Sequence, residues 1–287
     1  MSEAHGGYYV PHGTHWTIVG SIGLTALVGG FAHFLNGGGS GMAIMMVGLG
    51  IMIFMMFGWF GQVVRESESG MYNEQVDKSF RWGMSWFIFS EVMFFAAFFG
   101  ALFYARVLSV PWLGGEDAVT SDVLWNSWEA IWPTNGPGDL GGSFTILDPW
   151  KIPALNTLLL LSSGVTITFA HWALKKGNRG PLVLWMLATV LLGATFLGFQ
   201  AYEYIEAYSD HHNLTLASGI YGSTFFMLTG FHGMHVTIGT IMLIVITLRC
   251  MKGHFTAEHH FAFEGVAWYW HFVDVVWLGL FIFVYII

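Results

Sequence analysis

Ser90–Gly100 reads SEVMFFAAFFG: one carboxylate, Glu91, in a run that is otherwise as apolar as a lipid tail. The run continues in both directions, from Arg81 to Val107. A helix crossing the hydrocarbon core of a bilayer needs about 20 mostly apolar residues at 1.5 Å rise each, and this stretch has them. Six further runs of that kind follow the same rule: Trp16–Leu35, Met42–Val64, Ala154–Leu174, Leu182–Tyr204, Ser218–Arg249 and Phe261–Ile287. None alternates with the period of two that a membrane barrel requires. The expected fold is all-α, a polytopic membrane protein with seven transmembrane helices.

Composition agrees. Of the 287 residues 55% are hydrophobic, 17% aromatic and only 10% charged, values that suit a chain using lipid as its solvent. Cys250 is the single cysteine, which excludes an internal disulfide or a thiolate cluster. The N-terminal MSEAHGGYYVPHGTH has no basic region leading into an apolar core, so the first spanning helix is expected to serve as its own insertion signal. No fixed-period repeat is visible, and the only low-complexity segment is NGGGSG after the first helix. We expect one transmembrane domain over residues 1–287, with a loop of about 108–153 between the third and fourth helices.

Charge sets the sides. Eight of the ten basic residues (Arg65, Lys78, Arg81, Lys175, Lys176, Arg179, Arg249 and Lys252) fall in the loops after helices two, four and six or at the adjoining helix ends. The positive-inside rule then places those loops and the N-terminus in the cytoplasm, and the C-terminus outside. The 108–153 loop faces outward and carries Glu116, Asp117, Asp122, Glu129, Asp139 and Asp148, either as a solvated loop or as an attractor for a basic soluble partner. Small residues (Gly20, Gly23, Gly29 and Gly30 in the first helix; Gly48, Gly50, Gly58 and Gly61 in the second) are read as points of close helix approach.

Polar residues inside the spans carry the functional question. Glu91 lies ten residues into its run, about 15 Å deep. His271 and Asp274 reach a similar depth in the last run, and His232 and His235 sit midway along the sixth. A charge at the bilayer centre costs about 2.5–3.5 kcal/mol on insertion scales, so each such group is kept neutral or hydrogen-bonded. These residues could form one polar layer. The competing readings are a haem or metal site built on FHGMH and WHFVD, a proton or ion route as in a transporter, and interhelical glue, which takes most of the weight for the histidines. Arg65 and Arg249, at cytoplasmic helix ends, can hold lipid phosphates with Trp59 along the same acyl chains, or simply set topology. The indoles of Trp268, Trp270 and Trp277 require acceptors.

RWGMSWFIFSEVMFFAAFF, PALNTLLLLSSGVTITFAHWAL, GIYGSTFFMLTGFHGMHV, HHFAFEGVAWYWHFVDVVWLGLF and VVRES resemble subunit III of the haem–copper cytochrome c oxidases. The resemblance runs from the second helix to the C-terminus, with the motifs in the family's order. It implies seven helices in two bundles, helices 1–2 and 3–7, around a V-shaped cleft filled by phospholipid. It implies a subunit without a catalytic centre, cofactor or metal of its own: haem A and copper belong to partner subunits I and II, and cytochrome c serves the complex. The implied role is to stabilise subunit I, sustain proton uptake in aerobic respiration and guide oxygen through bound lipid. By position Glu91 matches the family's intramembrane glutamate, Arg65 and Arg249 match lipid-phosphate positions, and His232 and His235 fall where no metal is known. The 108–153 loop is longer than the mitochondrial pattern, which with the N-terminal tail points to a bacterial inner membrane, the mitochondrial one being the second choice. Presence of the first two helices favours cytochrome c over quinol as electron donor; a quinol-oxidising relative and an independent transporter remain the alternatives. No nucleic-acid partner is expected.

Overall fold

A computed structural model describes residues 9, 13–126 and 128–286, all helix and connecting loop with no strand among them. Seven helices have the length and apolarity to cross a membrane, with mean hydropathy of 1.5–2.2 over their most apolar stretches. The chain divides into two compact units, Met1–Phe80 and Arg81–Ile287.

The first unit is a helical hairpin of α1 (Trp16–Leu35) and α2 (Gly41–Glu68). The turn is closed by Gly38 N–H donating to the His33 carbonyl at 2.9 Å, with Gly37 at φ 78°, a left-handed conformation that costs glycine nothing. The two helices touch backbone to backbone. A Cβ on Gly30 would lie 2.4 Å from the Met45 nitrogen, one on Gly48 2.3 Å from the Leu27 nitrogen, and one on Gly41 2.3 Å from the Phe34 nitrogen. As the α1 partner number falls the α2 number rises, so the pair is antiparallel. Glycines 23, 30, 41 and 48 recur every seven residues within each helix and so stay on the shared seam. Of the other glycines expected to pack, Gly20 and Gly58 meet Met55 and Trp16, whereas Gly29 and Gly50 face open space. Only those on the seam side of the helix can meet the partner.

The second unit holds most of α3 (Glu74–Phe103), then α4 (Ala118–Leu124), α5 (Ile152–Lys175), α6 (Arg179–Ala207), α7 (Gly219–Lys252) and α8 (Phe261–Leu280). The third span corrects the sequence reading at both ends. It starts at Glu74 rather than Arg81, because Asn73 accepts the Val76 N–H at 3.0 Å and caps a polar first turn that lies beyond the apolar run. At the other end it continues as wide, π-helical turns through Tyr104–Ser109 and Trp112–Glu116 and stops at Gly115, φ 129°. The loop expected from 108 therefore begins after Glu116. Its first part is α4, capped by Asp117, which accepts the Thr120 N–H at 3.0 Å.

The core of this unit is built on α8, whose most apolar stretch is 61% enclosed against 11% for α1. Trp270 slots between Gly193 of α6 and Gly239 of α7, where added Cβ atoms would meet its ring at 2.7 and 2.9 Å. Its indole N–H donates to Ser163 Oγ of α5 at 2.8 Å, and that of Trp277 donates to Thr157 Oγ1 at 2.9 Å. One helix thus fastens three others, each buried indole finding the acceptor it needs. The third helix meets this core through long side chains: Phe94 stands edge-on to Phe231 at 5.0 Å, and Phe95 edge-on to His235 at 5.0 Å.

Candidate functional site

Glu91 of α3 meets His235 of α7: Oε2 lies 2.8 Å from the imidazole Nε2. The other ring nitrogen, Nδ1, lies 2.7 Å from the Phe231 carbonyl. A carbonyl only accepts, so Nδ1 carries a hydrogen. The Nε2–Oε2 contact then contains one proton, held either by the imidazole as an imidazolium facing a carboxylate, or by the carboxyl facing a neutral imidazole. The pair is neutral overall in both arrangements. This is the physical answer to a carboxylate inside an apolar span: its charge is cancelled within one hydrogen bond. Phe95 and Tyr269 flank the imidazole and restrict its motion, Tyr269 lying nearly parallel to it at 6.4 Å.

The expected single polar layer splits in two. His271 and Asp274 leave α8 on another side, toward α5. The Asp274 carboxylate nests against Gly164, where a Cβ would sit 2.2 Å from Oδ2, and its Oδ2 is 3.8 Å from His271 Nδ1. Thr168 Oγ1 is 3.5 Å from His271 Nε2. These groups line a groove of about 410 Å³ together with Trp172 and Val275. His232 joins neither pair. Fully enclosed, it packs edge-on to Phe196 at 5.8 Å and tilted on Trp277 at 5.2 Å, and among the described residues neither ring nitrogen meets a hydrogen-bond partner. His232 and His235 lie three residues apart, yet α7 gives one to an aromatic cage and the other to α3.

The residues expected at lipid phosphates occupy helix ends. Arg65 is exposed in the last turn of α2, and Trp59 is exposed beside Phe60. They stand six positions apart, which turns the two side chains about 120° from one another around the helix. Arg249 is half-buried, its guanidinium 4.6 Å over the Phe255 ring. Near Arg65, Glu66 accepts from the Tyr72 hydroxyl at 2.8 Å, from Tyr9 at 3.3 Å and from Gln62 at 2.7 Å, while Gln62 accepts from the Trp16 indole at 2.9 Å. Burial, and then the hydrogen bond to the Glu66 carboxylate, push the Tyr72 phenol above its ordinary range, so it stays a donor. Of the acidic loop residues, Asp117 caps α4, Asp139 accepts from Asn135 at 2.6 Å and Asp148 accepts the Trp150 N–H at 3.0 Å. Three of the six carboxylates thus shape their own loop.

Sequence reasoning missed a second polar cluster at the opposite end of α8 from its C-terminus. Glu264 forms an ion pair with Arg81 of α3 and lies 3.2 Å from His260 and 3.4 Å from His171 of α5. The signal was present in HHFAFE, where His260 and Glu264 stand one helical turn apart, but nothing in the sequence brings His171 to them.

Seven apolar spans among the described residues, with acids and histidines distributed over helix interfaces, define a polytopic helical membrane protein. Its particular kind comes from comparison. The sequence model of the family described as "Cytochrome c oxidase subunit III" matches residues 6–287. The chain is 45% identical over 274 residues to the cytochrome c oxidase subunit 3 of Marchantia polymorpha, covering 94% of this chain and 92% of the relative. It is 42% identical over 285 residues to that of Arabidopsis thaliana (99% and 97%) and 40% over 287 residues to that of Formosania lacustris (99% and 97%). The chain belongs to the cytochrome c oxidase subunit III family, an integral membrane component of the respiratory chain.

Proposed function

We propose that this chain is the non-redox accessory subunit III of a proton-pumping cytochrome c oxidase. In this reading it has no catalytic centre of its own. Subunits I and II are its partners, subunit I in direct contact; they hold haem A and copper, and cytochrome c delivers electrons to the complex. The chain stabilises subunit I, supports proton uptake there and gives oxygen a route through bound phospholipid. Arg65 and Arg249 hold lipid phosphates, with Trp59 and Glu91 beside the lipid. The membrane is the bacterial inner membrane, with the N-terminus cytoplasmic and the C-terminus periplasmic.

The observation that carries the reading is the Glu91–His235 pair. Both nitrogens of His235 are engaged, one by a carbonyl and one by a carboxylate, so the ring acts as a holder of Glu91 and of one proton. That is suited to tuning or steadying a neighbour, which in this reading is subunit I. Purification through a tag on this chain in mild detergent tests the reading. Co-purification of haem A and copper with two larger chains is expected; a chain isolated without them in a respiring membrane sinks it. Within the complex, Glu91→Ala should leave the haem bands intact and shorten the time activity is sustained during turnover. Loss of the haem bands in that variant would argue against the accessory role.

A further inference from the structure

The strongest feature outside the midplane is the triangle of His171 Nε2, His260 Nε2 and Glu264 Oε1. Its sides are 3.3 Å between the two imidazoles, 3.4 Å from His171 to Glu264 and 3.2 Å from His260 to Glu264. Zinc binds imidazole nitrogen and carboxylate oxygen at about 2.0–2.1 Å in a tetrahedron, whose edge is then about 3.3 Å. The three donor atoms already stand at that spacing.

A second observation concerns electrons rather than distance. His260 Nδ1 is 3.0 Å from the Thr256 carbonyl, which only accepts, so the hydrogen of a neutral His260 sits on Nδ1. In that neutral form the Nε2 lone pair faces the Glu264 Oε1 lone pairs at 3.2 Å, an arrangement that a proton or a cation between them makes favourable. The Nε2 hydrogen that His171 can carry serves only one of these acceptors well. Three electron-rich atoms converge on a point that a shared proton or a metal cation can fill. Arg81 pairs with the other carboxylate oxygen, Oε2, and leaves Oε1 to the two imidazoles. The backbone carbonyl behind His260 and the carboxylate–guanidinium pair behind Oε1 are the outer contacts that orient metal ligands. The site lies at the edge of the core of this unit, with side-chain exposures of 23% for His171, 7% for His260 and 12% for Glu264.

We propose that His171, His260 and Glu264 form a binding site for a divalent first-row cation, zinc by preference, with water at the fourth position. The site ties α5 to the start of α8 and stands apart from the midplane pair. Arg81, and Lys175 one turn from His171 on α5, are the positive groups that face it, so its zinc is more readily exchanged than that of a closed structural site.

The test uses the intact oxidase complex, purified through this chain, stripped with a chelator and titrated with zinc chloride. Metal retained after gel filtration is counted by mass spectrometry for the unmodified complex and for His171→Ala, His260→Ala and Glu264→Gln. One zinc more per complex is expected in the unmodified protein, with each substitution weakening retention at least ten-fold. The zinc absorption edge of that extra ion should show nitrogen and oxygen neighbours at about 2.0–2.1 Å, including imidazole. A readout without any substitution covers the case in which a variant fails to assemble: zinc should protect His171 from diethyl pyrocarbonate in the unmodified complex and leave the exposed His211 unprotected. Equal retention in all assembled variants, or His171 modification indifferent to zinc, overturns the proposal and leaves the triangle sharing a proton alone.

Discussion

Two histidines three residues apart on α7 receive opposite treatment, and their substitutions should separate them. His235 holds Glu91, so His235→Leu strands a carboxyl in an apolar setting and is expected to cost about 1–3 kcal/mol. His232 packs on aromatic rings and its nitrogens meet no protein partner, so His232→Leu removes two unsatisfied groups and should be neutral or stabilising. Thermal denaturation of the detergent-purified complex checks both; a larger loss for the His232 variant than for the His235 variant contradicts the assignment. That these polar groups lie inside apolar helices was legible beforehand from counting along each run. Partner choice was not, because a 100° step per residue sends neighbours to different helices and the sequence does not say which helix stands where.

At the level of elements, close approach depends on single glycines. Gly30→Leu or Gly48→Leu forces the α1–α2 backbones apart, at a cost of about 1–3 kcal/mol. Amide hydrogen exchange across residues 16–68 should quicken in both, while Gly50→Leu, which meets open space, leaves it unchanged. In the second unit α8 is the helix that the others pack around. Trp270→Ala opens a cavity among α5, α6 and α7 and removes a buried hydrogen bond, an expected loss of about 3–5 kcal/mol seen as a lower melting temperature. The apolar runs predicted all seven spans. The ends of the third were misplaced because charge was read as loop: Glu74, Asp77 and Lys78 sit on a capped helix that extends past the apolar segment.

For the molecule as a whole the charge pattern bears on orientation. Basic residues cluster on alternate loops, so Ser67→Cys should react with a membrane-impermeant maleimide only from the cytoplasmic side and Ser143→Cys only from the other. Cys250, 1% exposed, should stay unlabelled and makes the unmodified chain its own blank. Exchanged sides would reverse the proposed topology, and labelling of both sites from one side would break it. Membership in the oxidase subunit III family was legible because its motifs are long and lie on the helices in order. The role inside the complex is a matter of partners, and those are outside this chain.

Amino-acid order alone determined that the chain lives in a bilayer, how many apolar spans it has and which polar groups interrupt them. Those properties follow from length and hydropathy, which act on each segment separately. Tertiary structure decided that Glu91 meets His235 while Asp274 turns to Gly164, and that His171 joins His260 and Glu264 from a helix some ninety residues away. Apolar lipid and apolar neighbours are nearly equivalent to a helix face, so hydrophobic pattern carries little information about rotation in a membrane. Glycine seams and tryptophan slots set that rotation, and with it which donors converge.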